Sequence, residues 1–65
     1  MKFIEFISVD GKFFSIDPYQ VSAVEELVGS SSDETHIHLK GESSVLQTME
    51  PYHSVIHRIK EGWKV

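Results

Sequence analysis

The sequence predicts an α+β fold: a small antiparallel sheet or partly open barrel of about five strands, built on two hairpins and followed by one C-terminal helix. Three observations carry this. Asp10-Gly11 separates two runs rich in β-branched and aromatic residues. Residues 35–40, Thr-His-Ile-His-Leu-Lys, alternate strictly between polar and apolar. From Thr48 onward the apolar spacing changes from two to that of a helical stripe.

Residues 2–9 place Ile4 and Phe6 on one face and Phe3, Ile7 and Val9 on the other, which suits a central strand covered on both sides. Asp10-Gly11 then leads into residues 12–16 as a hairpin whose type I′ turn takes a positive φ at both central positions. Pro18 has no amide hydrogen to donate and disfavours helical geometry at Asp17, so a corner is expected there. Residues 19–28 read two ways. Val21, Val24, Leu27 and Val28 have helical spacing, with Asp17 available as N-cap and Pro18 at the first helical position; the β-branched content and the preceding hairpin favour a third strand, which is the reading taken. Residues 29–34 form a polar loop without an apolar residue. In the strand that follows, Ile37 and Leu39 point inward, and His36, His38 and Lys40 share the opposite face. Gly41-Glu42 makes a second tight connection to a last strand, residues 43–48. A helix over about 51–61 starts with Pro51 at its first position and buries Tyr52, Val55, Ile56 and Ile59. Arg58 and Lys60 complement its dipole, Gly62 serves as C′ residue, and Trp63 folds back on the core.

Sixty-five residues make a single domain, 1–65, and a chain of this size buries only roughly 60% of its unfolded surface. A deep, water-excluding active site is therefore not expected, nor is an enzyme. With no cysteine, disulfides, thiolate metal ligands and thiol nucleophiles are all excluded. The apolar runs are far short of the ~20 residues that cross a bilayer. Glu5 interrupts the only stretch that starts like a signal peptide, so the chain is expected in the cytoplasm.

The four histidines are the one concentration of reactive side chains. His36-x-His38 on a strand and His53-x-x-x-His57 on a helix each have metal-compatible spacing, since both patterns project two imidazoles to one side. If the helix packs on the inner face of the sheet, the pairs lie on opposite sides and cannot join. They read as surface residues, and no cofactor is expected. Protonating all four takes the net charge from −4 to zero, so solubility should fall at mildly acidic pH. Glu25-Glu26 and Ser30 to Ser32 lack the base or apolar setting that acid–base or nucleophilic catalysis requires.

Nucleic acid is disfavoured as a partner by the acidic balance. The first 34 residues carry seven acids and two bases, the remainder three acids and four bases. Only Lys40, Arg58, Lys60 and Lys64 could form a basic patch. The aromatic content points instead to protein contacts or self-association. Phe13 and Phe14 are consecutive on a strand and must face opposite sides, so one of them lies outside a single-layer core unless a barrel closes or another chain covers it. Phe13, Tyr19, Arg58, Lys60 and Trp63 are the candidate contact residues.

The run Val9-Asp10-Gly11-Lys12-x-Phe14-x-Ile16-Asp17-Pro18-x-x-Val21-x-x-Val24-Glu25, followed by Thr35-x-Ile37-x-Leu39-x-Gly41 and Val55-x-x-x-Ile59, resembles short bacterial flagellar-operon and swarming-motility proteins. The likeness spans most of the chain. Relative to that pattern, one residue fewer separates Leu39 from Gly41, and Ser30 to Ser32 lengthen the preceding loop. The resemblance implies a non-enzymatic accessory or regulatory protein acting through protein contacts, and it carries over no site residue. The function expected is a small, self-associating interaction or regulatory module; a nucleic-acid-associated regulator is the first alternative and a histidine-based metal binder the second.

Overall fold

In the computed structural model, which describes residues 3–28 and 34–64, strands β1 (Ile4–Ile7) and β2 (Phe13–Ile16) form one antiparallel hairpin. Strands β3 (Val21–Glu26), β4 (Thr35–Leu39) and β5 (Val45–Thr48) form a three-stranded antiparallel sheet in that order. Helix α1 (Tyr52–Gly62) completes an α+β fold of two sheets with no closed barrel. The serine-rich loop predicted between β3 and β4 falls largely on residues 29–33, outside those described.

Backbone and side-chain bonds beside Thr48 join the two sheets. Ser8 bridges to Thr48, the Val9 amide donates to the Gln47 carbonyl at 3.1 Å, and the buried Thr48 hydroxyl donates to the Ile7 carbonyl at 2.8 Å. One layer of side chains fills the interior: Ile4, Phe6, Ile16, Ile37, Val55 and Ile59 are buried, with Phe14, Val21, Val24, Leu39 and Leu46 packed around them. The helix thus covers the inner face of the strands, and Tyr52 and Ile56 flank its buried stripe half-exposed.

Several local expectations are corrected. Strand β1 is not covered on both sides: Ile4 and Phe6 are buried, but Phe3, Ile7 and Val9 are 64, 50 and 41% exposed, because the single helix occupies only the inner face. The first hairpin is not closed by a two-residue type I′ turn. Only Gly11 has a positive φ, 88°, and its amide donates to the Ser8 carbonyl while the Ser8 amide donates to that of Lys12. This is a three-residue loop ending in a left-handed glycine, which spares Asp10 the positive φ that a side chain disfavours.

Residues 18–20 form a single 3₁₀ turn capped by the Asp17 carboxylate, which accepts from the Tyr19 amide at 2.9 Å. The helical signal from Asp17 and Pro18 is therefore spent in one turn, and the chain continues as β3. The helical spacing of Val21 and Val24 has its own cause. A β-bulge between Val21 and Ala23 inserts one residue into the ladder, so Val21 and Val24 both reach the core although they stand three positions apart.

The last predicted strand begins at Val45 rather than Ser43. Pro51 is extended, at φ −61° and ψ 150°, and is the N-cap, not the first helical residue. Gly62 is not a left-handed C′ residue either. It lies buried in the last helical turn, where a Cβ would stand 2.9 Å from Ile4 Cδ1 and 2.9 Å from Pro18 Cγ, so its role is close approach. Trp63 closes the corner instead of filling the core: it stays 45% exposed while its indole N–H donates to the Pro18 carbonyl at 2.8 Å.

Candidate functional site

The structure separates the five candidate contact residues into two groups. Phe13 and Arg58 line an open cleft of about 570 Å³ beside Ile7, Met49 and Glu50. Lys60 and Trp63 line a smaller one, of about 220 Å³, between α1 and β3. Tyr19 belongs with the second group through its hydroxyl, which donates to the Trp63 carbonyl at 2.9 Å. Tyr19 and Trp63 therefore tie the 3₁₀ turn to the end of the helix.

Strand alternation builds the first surface. In the β1–β2 hairpin, Ile4 pairs with Ile16 and Phe6 with Phe14 on the inner face, and Phe6 and Phe14 stack at 5.7 Å between centroids. The residues between them face outward: Glu5 opposite Ser15 and Ile7 opposite Phe13, with Phe3 on the same side. Phe13 is 67% exposed. The parity of Phe13 and Phe14 had predicted one uncovered ring, and Phe13 is that ring. Ile7 and Met49 were not singled out, although the outward parity of Ile7 was readable.

Arg58 forms the floor of the cleft. Its guanidinium lies 4.4 Å from the Phe6 ring centroid, donates to Glu50 Oε1 at 2.6 Å and bonds the Glu5 carbonyl. Glu50 is held in turn by the Ser54 hydroxyl at 2.6 Å, and its backbone carbonyl accepts from the buried Thr35 hydroxyl at 2.7 Å. A planar guanidinium can satisfy a carboxylate, a backbone carbonyl and an aromatic face together, which an ammonium cannot. Arg58 thus joins β1, the β5–α1 connection and the helix. Glu50, its partner, carried no sequence signal beyond preceding a proline.

Of the remaining candidate bases, Lys60 lines the second cleft. Lys64 is paired with Glu61 at 2.8 Å, and Lys40 sits in the β4–β5 turn. The histidines stay in two pairs. His36 and His38 lie on the reverse of the sheet from Ile37, with Nε2 atoms 3.8 Å from Glu34 and 3.5 Å from Glu25. His53 and His57 are exposed on the helix flank. Among the described residues no three His, Asp or Glu side chains group as they would around a metal ion, and no helix is long and apolar enough to cross a membrane.

Asp10 is the one described group whose acidity is clearly moved. The Ser8 hydroxyl bonded to its carboxylate, helped by the Lys12 amide and charge, holds it below the ordinary carboxylate value.

Compared with protein-family models, curated proteins and solved structures, the chain matches none.

Proposed function

We propose that this chain is a small non-enzymatic interaction or regulatory module that works through protein contacts on the outer face of the β1–β2 hairpin. The observation that carries the reading is the contiguous exposure of Phe3, Ile7 and Phe13 on that face, beside the cleft that Met49 and Arg58 help to line. Apolar side chains grouped on a surface mark contact sites, whereas scattered ones do not, and phenylalanine, methionine and arginine are among the side chains enriched in protein interfaces. The class of protein implied by the flagellar-operon resemblance agrees with this. Arg58 and Lys64, half of the basic residues a nucleic-acid surface would need, are already paired with Glu50 and Glu61, which favours protein contacts over nucleic acid.

A photo-crosslinking benzoylphenylalanine in place of Phe13 tests this in the producing cells. It should give an adduct of discrete mass that fades when Phe3 and Ile7 are changed to serine, whereas the same probe in place of His53 on the helix flank should not. Absence of an adduct from position 13, or the same adducts from both positions, would overturn the reading.

A further inference from the structure

We infer that the partner of this surface includes a second copy of the chain, joined by antiparallel pairing of the two β2 edges in a register centred on Phe14; the inference rests on the protein-contact reading above and gives it an occupant. The hydrogen-bond parity of the hairpin defines the edge. The Ser8 amide donates to the Lys12 carbonyl, so the pairs Ser8–Lys12, Phe6–Phe14 and Ile4–Ile16 exchange the ladder bonds, and the intervening pairs do not. On β1 the outward-turned carbonyls of Glu5 and Ile7 are taken by Arg58 and Thr48. On β2 the outward-turned residues are Phe13 and Ser15. Strand β2 ends its sheet, and no described residue pairs with that edge.

The two free edges differ. Edges are ordinarily guarded by bulges, charges or proline, and β3 has the bulge at Ser22 together with Glu25 and Glu26. Phe13-Phe14-Ser15-Ile16 has none of these. Centring an isologous pair on Phe14 sets Phe13 of each copy against Ser15 of the other, so every free backbone group of these residues is used, and Phe14 meets Phe14 in the close, non-bonded position. The Phe6–Phe14 stack then continues across the two-fold axis. On the outer face the two Phe13 rings become diagonal neighbours, within aromatic reach. An open cleft of about 280 Å³ beneath the edge, walled by Ile16, Leu39 and Leu46, receives the inner side of the second strand. Charge is complementary as well: antiparallel pairing lays the Lys12 end of each strand beside the Asp17 end of the other, with no charge between them. A four-residue edge with one exposed ring per copy falls at the small end of interfaces, under ~1,200 Å², so the dimer should be concentration-dependent.

Sedimentation equilibrium from micromolar to millimolar chain is the test, read together with amide exchange. The wild-type mass should rise from 7.4 kDa toward twice that value, and exchange of the Phe13 and Ser15 amides should slow at least tenfold over the same range. Ser15→Pro removes an edge donor that β1 does not use, and Phe13→Lys places a charge on the edge; each should weaken association at least tenfold. If circular dichroism shows Ser15→Pro unfolded, Phe13→Lys and the amide exchange decide. A wild-type mass of 7.4 kDa throughout overturns the second copy as partner while leaving a crosslink from position 13 to another protein standing. A dimer that persists in both variants, or that leaves the two amides unprotected, overturns edge pairing.

Discussion

The two sheets of this protein each turn one face inward to the same core and one face to solvent, and the outward faces have opposite chemistry. Behind Ile37 the three-stranded sheet presents Ala23, Glu25, His36, His38 and Gln47, with Val45 as its one exposed large apolar side chain and with Glu25 and Glu34 set against the histidines. Behind Phe6 the hairpin presents Phe3, Ile7 and Phe13, relieved only by Glu5 and Ser15. Alternation along a strand produces either outcome equally well, so folding does not demand the apolar one. An outward Phe13 adds little to a core that Phe14 already reaches, and it adds a liability toward association. The contrast is what singles out the hairpin for the contact role proposed above.

The largest effect that tests this contrast comes from exchanging one residue type on its two faces. Ile37 is fully buried and Ile7 is half exposed. Ile37→Ala should cost about 2–5 kcal/mol through lost burial and the cavity left behind. A chain of this length is stabilised in total by only about 3–10 kcal/mol, so that variant should lose a large share of its stability. Ile7→Ala should cost under about 1 kcal/mol, mainly its cross-strand contact with Phe13. Urea denaturation at protein concentrations low enough to exclude association compares the two. Similar losses at both positions would mean that the outer face contributes to folding after all.

A smaller effect asks how the hairpin is held to the rest. Beyond core packing, its attachments are the Ser8–Thr48 bridge, the Val9 amide, the Thr48 hydroxyl and Arg58. Arg58→Met keeps the length of the side chain but removes the bonds to Glu50 and to the Glu5 carbonyl, leaving a half-buried carboxylate with only Ser54. The expected loss is about 1.5–3 kcal/mol. Pairing it with Glu50→Gln in a double-mutant cycle should recover part of that loss, because the amide leaves no uncompensated charge. Full additivity of the two changes would show that the ion pair is not what fastens the hairpin.

Much of the fold was legible because hydrophobic period and turn chemistry agreed: alternation at Ile37 and Leu39, a helical stripe from Tyr52 to Ile59, and glycine at both tight turns. Where they parted, the cause lies in contacts between distant residues. The bulge near Ser22 gave a strand the spacing of a helix, and no local signal announces an extra residue in a ladder. Gly62 looked like a cap because glycine commonly is one; the close approach of Ile4 and Pro18 exists only once the fold is complete. The candidate surface was half legible. Parity alone required one of Phe13 and Phe14 to face outward, but which face the helix would leave bare, and that Glu50 would hold Arg58 beneath it, depended on tertiary packing.

The smallest effect lies at the tip that joins the two strands of the hairpin. Asp10 accepts a hydrogen bond from Ser8 and faces the Lys12 amide, and its carboxyl is held below the ordinary value of 3.8. A depressed carboxyl stabilises the folded chain above its unfolded pKa, and that contribution disappears as pH falls through the lower, folded value. Between pH 6 and pH 3 the wild type should therefore lose slightly more stability than Asp10→Asn, which keeps an acceptor for Ser8 but has no charge to titrate. The site is fully exposed, so the difference should be a small shift in melting temperature confined to the acid side, with the two curves parallel above pH 5. A difference that persists unchanged down to pH 3 would assign the role of Asp10 to backbone preference in the turn and not to its charge, leaving the hairpin tip, like its outer face, indifferent to the electrostatics that dress the other sheet.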